Sequence, residues 1–279
     1  MSAGGRLRQG LLAVLFFTAA MLALAFLALP LVAIFVGVPP GRLISQLSNP
    51  VVTDALLVSL KTTLIAQALI LLLGTPLAYL LASRRFRGRS VIVTLVELPL
   101  VLPPAVAGLG LFAALGRFGL LGSTLRAFGI SIPFTQTAVV LAVAFVASPL
   151  YIRTAVAAFQ SVDPDVVAAS RTLGAGSTRT FFRVVLPLAR GGLAAGEALA
   201  FARGLGEFGA TIMFAGSLQG VTQTLPLAIY AAFDVDFDAA LAMGALLVAI
   251  SAALLLSLKL ILSWQPSRQT SRSLFAPLS

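Results

Sequence analysis

The chain has 279 residues, of which 59% are apolar and only 10% charged, with a mean hydropathy of +1.05, a balance that excludes a soluble globular domain of this size. It contains no Cys and no His, which closes disulfides, thiolate and imidazole metal sites and the catalytic dyads built on either residue. The formal net charge of +10 is distributed between apolar runs, so it reads as a topology signal and not as a nucleic-acid surface.

The apolar runs have the length at which helices cross hydrocarbon, roughly 20 residues each, and they lack the strict alternation of a membrane barrel. Six fit, which predicts an all-α membrane protein with about six transmembrane helices in one domain over residues 1–279. The first run, 10–38, follows Arg6 and Arg8 and carries a cleavage-like Ala23-Leu24-Ala25, but it is too long for a signal peptide and reads as an uncleaved first span. Pro39 and Pro40 end it, and a short segment, 41–52, contains Arg42 and the turn signal Asn49-Pro50. Span two covers 53–82 and is followed by four arginines, Arg84, Arg85, Arg87 and Arg89.

Span three, 91–115, holds Glu97, Pro99, Pro103 and Pro104. Each proline removes a backbone donor and crowds the preceding turn, so the segment is expected to be kinked or broken and to face a bundle interior or an aqueous path. A connection over 116–133 with Arg117 and Arg126 leads to span four, 134–159.

The longest polar interruption then runs over 160–187, with Asp163, Asp165, Arg171, Arg179 and Arg183. Asp163 as N-cap and Pro164 at the first helical position predict a short helix through Leu173, stopped by Gly174 and Gly176. A second helical segment is expected to begin near Ser177 and to end at Leu186 and Pro187. Span five is placed at about 191–215, a mildly polar stretch follows Gly216, and span six is 239–264 with Trp264 as an interfacial anchor. The tail 265–279 is short and polar.

Basic residues favour one side: Arg6, Arg8, the four after span two, the four from Arg171 to Arg190, Arg268 and Arg272, against Arg42, Arg117 and Arg126 on the other. Both termini and the loop 160–187 are therefore expected in the cytoplasm.

Neither Lys61 nor Lys259 follows a glycine, so no phosphate-binding loop is present. Gly204-Leu205-Gly206-Glu207-Phe208-Gly209 matches a dinucleotide pattern by letter, but inside a membrane span it lacks the strand-to-helix setting that pattern needs. Read as one helix, span five places Gly196, Ala200, Arg203, Glu207, Ala210 and Thr211 on one face and Phe201, Leu205, Phe208 and Ile212 opposite. Charges within a span cost a few kcal/mol each. Arg203 is therefore expected to pair with Glu207 or with Glu97, either as a structural ion pair or as the lining of an anion path. Gly192 and Gly196 invite close approach of another helix. Tyr230, Asp234, Asp236 and Asp238 form an acidic edge that is either solvated surface or a docking contact.

Ala169-Ser170-Arg171-Thr172-Leu173-Gly174, followed by Val184-Val185-Leu186-Pro187, resembles the cytoplasmic signature of the membrane subunits of ATP-binding-cassette importers. Ala168 stands in place of its Glu, Ser170 in place of its second Ala and Val184 in place of its Ile. The segment from Glu97 to Gly108 and the segment from Phe201 to Thr211, continuing through Thr222-Gln223-Thr224-Leu225-Pro226, are similar to the permeases of molybdate and tungstate importers. Sulfate permeases share part of the Gly-Glu-Phe-Gly stretch.

The resemblance implies a multi-pass permease of type I importer fold in a prokaryotic inner membrane. It also implies a homodimer, two ATPase subunits that use ATP and Mg, an extracytoplasmic oxyanion-binding protein, and no catalytic residue or cofactor in this chain. Asp163, Ala168, Ala169, Ser170, Arg171, Thr172, Leu173, Gly174, Ala175 and Gly176 would form the element that couples to the ATPase. Glu97, Pro103, Pro104, Arg203, Glu207, Ala210 and Thr211 would lie on the translocation path. A permease for sulfate or another oxyanion, and an ion-coupled secondary transporter, are the competing readings.

Overall fold

The computed structural model describes residues 3–46 and 48–263, and among these all regular structure is helical. In chain order the helices are α1 (Ala3–Val36), α2 (Pro40–Gln46), α3 (Pro50–Ser83), α4 (Arg89–Val101), α5 (Pro104–Leu115), α6 (Gly122–Ala127), α7 (Gln136–Gln160), α8 (Pro164–Thr172), α9 (Ser177–Thr180), α10 (Leu186–Leu205), α11 (Gly209–Ala215), α12 (Leu225–Phe233) and α13 (Phe237–Ser263). Five helical stretches are long and apolar enough to cross a membrane, and α4 with α5 makes a sixth if the bent pair is one span. Trp264 and the tail lie outside the described residues.

The described chain divides into two compact units, residues 1–58 with 217–250, and residues 59–216 with those from Ser251 on. In the first, Val52, Ala55, Leu225, Ala228 and Met243 form a small buried cluster. Helix α12 was not foreseen: Pro226 in its first turn starts a helix within the stretch read as a mildly polar connection. Asp236 accepts the Ala239 amide at 2.9 Å and so caps the start of α13, while Asp238 pairs with Arg42. From Leu11 to Val36 the large apolar side chains of α1 are exposed, apart from the half-buried Ile34, as expected of a span that faces lipid.

The second unit is built on α7. Its Ala- and Val-rich faces are buried, and α10 packs along it. The two conspicuous glycines make this approach possible: a Cβ on Gly192 would stand 2.5 Å from that of Ala158, and one on Gly196 would stand 3.0 Å from that of Thr154. The Thr75 and Tyr151 hydroxyls meet at 2.5 Å, tying this part of α3 to α7 with a polar pair that would otherwise be orphaned in an apolar interior.

The prolines of span three act as expected. Helix α4 stops at Val101, Pro103 is extended, Pro104 is the first residue of α5, and the two axes differ by 117°. Span five departs from expectation at both ends. Its helix does not stop at Leu186 and Pro187: Ser177–Leu205 runs as one apolar rod, and Pro187 lies inside it, two residues after a π-helical stretch where the regular hydrogen-bond ladder is already shifted. The rod passes through one π-helical stretch, Phe181–Val185. At the other end it stops at Leu205 instead of continuing to residue 215, and α11 restarts at Gly209.

Candidate functional site

Helix α8 forms as the capping signals require. The Asp163 carboxylate accepts the Asp165 amide at 2.9 Å, Pro164 occupies the first turn where no donor is needed, and Gly174 leaves the helix at φ +82°, a conformation that disfavours any Cβ. No residue of α8 is fully buried. At 100° per residue, Pro164, Val167, Ala168 and Arg171 share one face, and all four line a cavity against the end of α3. Val166, Ala169 and Leu173 point the opposite way, and Leu173 is 87% exposed. An apolar, solvent-facing edge on a capped helix of little over two turns is suited to a partner's groove.

The helix is tethered to the rod that follows. The Ser170 and Thr180 hydroxyls stand 3.1 Å apart, Thr180 is buried, and the Ala175 amide donates to the Ser170 carbonyl at 3.0 Å. Phe181, at the start of the π-helical stretch, meets Tyr79 and Phe159 with ring centroids 4.7 and 6.1 Å away. Residues 163–180 thus form a small folded unit seated on the ends of α3 and α7 and continuous with α10.

The far end of that rod is the second break. Gly204, Gly206 and Gly209 are spaced through it, and Gly206 ends α10. The glycine pattern therefore marks a break between helices and not the interior of one, so the facial projection across 196–211 does not carry past Leu205. Across this break Glu207, its side chain 1% exposed, places one carboxylate oxygen 2.7 Å from Arg203 Nη1 and uses the other to accept the Ala210 amide at 2.8 Å. A buried carboxylate costs several kcal/mol unless partnered. Here a guanidinium and the first turn of α11 both serve it.

The two broken spans meet at this point. A Cβ on Gly209 would stand 2.8 Å from that of Pro104, and one on Gly108 would stand 2.5 Å from the Ala210 carbonyl oxygen. Helices α5 and α11 therefore touch backbone to backbone. Of the residues expected on a path, Pro104, Arg203, Glu207 and Ala210 are brought together through these contacts, Pro103 caps α5 beside them, and Thr211 is buried on α11 with an unbonded hydroxyl. Glu97 is not with them. It stands 3.9 Å from Arg153, a residue of α7, and not beside Arg203.

Three polar residues of the spans escaped the sequence reading. Arg153 partners Glu97, Glu197 on α10 has a buried carboxylate oxygen with no hydrogen bond, and Gln67 on α3 is buried with both amide atoms unbonded. Their signal was available, since a charged or amide side chain in an apolar run is rare. A Cβ on Gly204 would stand 3.2 Å from the Gln67 amide nitrogen, so the last turn of α10 packs beside it.

Residues 74–270 match the family of binding-protein-dependent transport system inner membrane components. The chain is 46% identical over 237 residues to the molybdenum transport system permease protein ModB of Mycobacterium bovis, covering 85% of this chain and 90% of that one. It is 40% identical over 240 residues to a probable molybdenum ABC transporter permease protein of Haloferax volcanii, covering 84% of each. Among solved structures, a bacterial ABC transporter involved in the import of the acidic polysaccharide alginate matches with a TM-score of 0.71 at 16% identity, over 92% of this chain and 96% of that one. The capped helix joined by one rod to a glycine break is thus set in the type I importer fold, and the chain belongs to the binding-protein-dependent transport system inner membrane components, among the molybdenum transport permeases.

Proposed function

We propose that this permease moves molybdate, or the closely similar tungstate, into a prokaryotic cell across the inner membrane, as a homodimer driven by two separate ATPase subunits and supplied by an extracytoplasmic oxyanion-binding protein. The chain itself is non-catalytic and holds no cofactor; ATP and Mg belong to the ATPase. Both termini and α8 face the cytoplasm, and the residues from Asp163 to Gly176 form the contact with the ATPase.

The observation that carries the reading is the continuity of the rod Ser177–Leu205, with the capped helix α8 tethered at one end and the Arg203–Glu207 break at the other. A displacement of α8 enters the rod at Thr180 and the π-helical stretch Phe181–Val185 and is passed along α10 to the glycine break, where α11 rests on α5. In this scheme Glu207 is the latch across the break. Arg203, one third exposed, offsets the charge of a passing dianion, with Glu207 limiting how firmly it is held. Pro103, Pro104, Ala210 and Thr211 shape the passage, and Glu97 lies on its flank.

The test is uptake by proteoliposomes that contain the full-length chain with its ATPase and binding protein. Molybdate accumulation that requires ATP, resists excess sulfate and falls in Arg203→Gln with normal assembly is expected. Uptake that survives without ATP and collapses with an ion gradient would replace this reading with a secondary transporter.

A further inference from the structure

The cavity behind α8 has a composition that the coupling role does not account for. It measures about 630 Å³, within the range of small-molecule sites, roughly 300–1,000 Å³. Arg84, Arg85, Arg89 and Arg171 line it, together with Tyr79 and Phe159. Among the described residues no carboxylate pairs with any of the four arginines. Arg89 is held in place by donating its Nε–H to the Leu81 carbonyl at 2.9 Å, while Arg84, Arg85 and Arg171 are exposed. The nearest acids in sequence, Glu97, Asp163 and Asp165, are absent from the lining; Glu97 faces Arg153, and Asp163 is engaged in capping α8.

A second, apolar groove of about 350 Å³ adjoins this cavity. It shares Tyr79, Ser83 and Arg84 with it and continues along Pro76, Leu80 and Phe181. The groove follows α3 back from Arg84 into the membrane-spanning part. Four clustered cations above an apolar channel at the end of a span match a tetrahedral phosphoryl anion with hydrocarbon attached. A free oxyanion would satisfy the arginines but leave the groove unused.

We infer that this cavity binds the phosphodiester headgroup of an anionic phospholipid, with an acyl chain in the adjoining groove, beneath the inner face of α8. The lipid would neutralise Arg84, Arg85, Arg89 and Arg171 and brace the side of α8 opposite Val166 and Leu173. The inference concerns the isolated permease and is independent of the transported anion.

The experiment places the purified full-length chain in phosphatidylcholine nanodiscs that carry a minor fraction of spin-labelled phosphatidylglycerol or, in parallel, spin-labelled phosphatidylcholine. Motional restriction of the label is the readout. The wild type is expected to restrict phosphatidylglycerol preferentially. Removing two of the arginines in Arg84→Gln/Arg171→Gln is expected to weaken that preference by about twenty-five-fold, on the basis of about fivefold per cation near a membrane surface. Arg84→Lys/Arg171→Lys, which keeps the charge and controls for folding, should retain most of it, and Arg117→Gln/Arg126→Gln, which removes the same charge elsewhere, should retain all of it. Equal restriction of both lipids, or an undiminished preference in the Gln variant, would overturn the inference. So would displacement of the labelled lipid by inorganic phosphate or molybdate at low concentration, which would assign the arginines to a free anion.

Discussion

The hydroxyl of Ser170 lies 3.1 Å from that of Thr180, which joins the last turn of α8 to the foot of the rod that ends at Leu205. Thr180 is buried, and its oxygen also lies 3.5 Å from the Ala175 carbonyl, so the contact sits inside the small folded unit. The residue that departs from the family signature at this position is therefore the one that ties the helix down. Ser170→Ala is expected to cost about 1 kcal/mol, the usual value of one hydrogen bond. Hydrogen exchange at residues 173–180 should rise while exchange along α7 stays unchanged, and a uniform rise across both would contradict a local tether.

Gly174 and Gly108 are needed for different reasons, and substitution separates them. Gly174 has φ +82° and open space around its missing side chain, so Gly174→Ala should cost about 1 to 2 kcal/mol from backbone conformation alone, with Gly174→Asn milder. Thermal unfolding in detergent measures both. Equal stability of the Ala and Asn variants with wild type would show that the turn is not under this constraint.

Gly108 meets a wall. A Cβ there would lie 2.5 Å from a backbone oxygen of α11, whereas Gly110 on the same helix has nothing within 4 Å. Gly108→Ala should destabilise by roughly 1–3 kcal/mol or splay α5 from α11, and Gly110→Ala should be neutral or slightly stabilising. A cysteine pair across α5 and α11 that crosslinks equally well in wild type and Gly108→Ala would argue against the close contact.

Glu207 performs two tasks that a pair of variants resolves. Glu207→Gln keeps an oxygen for the Ala210 amide and gives up the charge, whereas Glu207→Ala loses both and leaves the amide and Arg203 without their partner. The Ala variant is expected to lose roughly 3–5 kcal/mol, discounted for the one-third exposure of Arg203, and the Gln variant distinctly less. If both unfold at the same temperature, the cap contributes nothing.

The absence of cysteine makes the chain its own background for topology mapping. Leu173→Cys, on the exposed edge of α8, should react with a membrane-impermeant maleimide only from the cytoplasmic side and crosslink to the ATPase in the assembled transporter. Phe118→Cys, at a position 91% exposed in the connection after α5, should react only from outside. Labelling of Leu173→Cys from outside and Phe118→Cys from inside would invert the orientation inferred from the arginines, and labelling of both from one face would contradict it.

Much of this architecture was written in local chemistry. Asp163, Pro164 and Gly174 set the ends of α8 because capping and backbone sterics act over a few residues, and Pro103 with Pro104 broke span three because a proline's missing donor needs no tertiary context. The six apolar stretches were legible for the same reason, since hydrocarbon imposes their length.

What distance in sequence concealed was decided by packing. Pro187 looked like a stop yet lies inside the rod Ser177–Leu205, just after the π-helical stretch Phe181–Val185, and the glycines at 204–209 read as one helix although the chain breaks there and α11 packs closely on α5. Glu97 stands by Arg153 and not Arg203, because α4 packs against α7, and composition alone carries no record of which helices lie side by side.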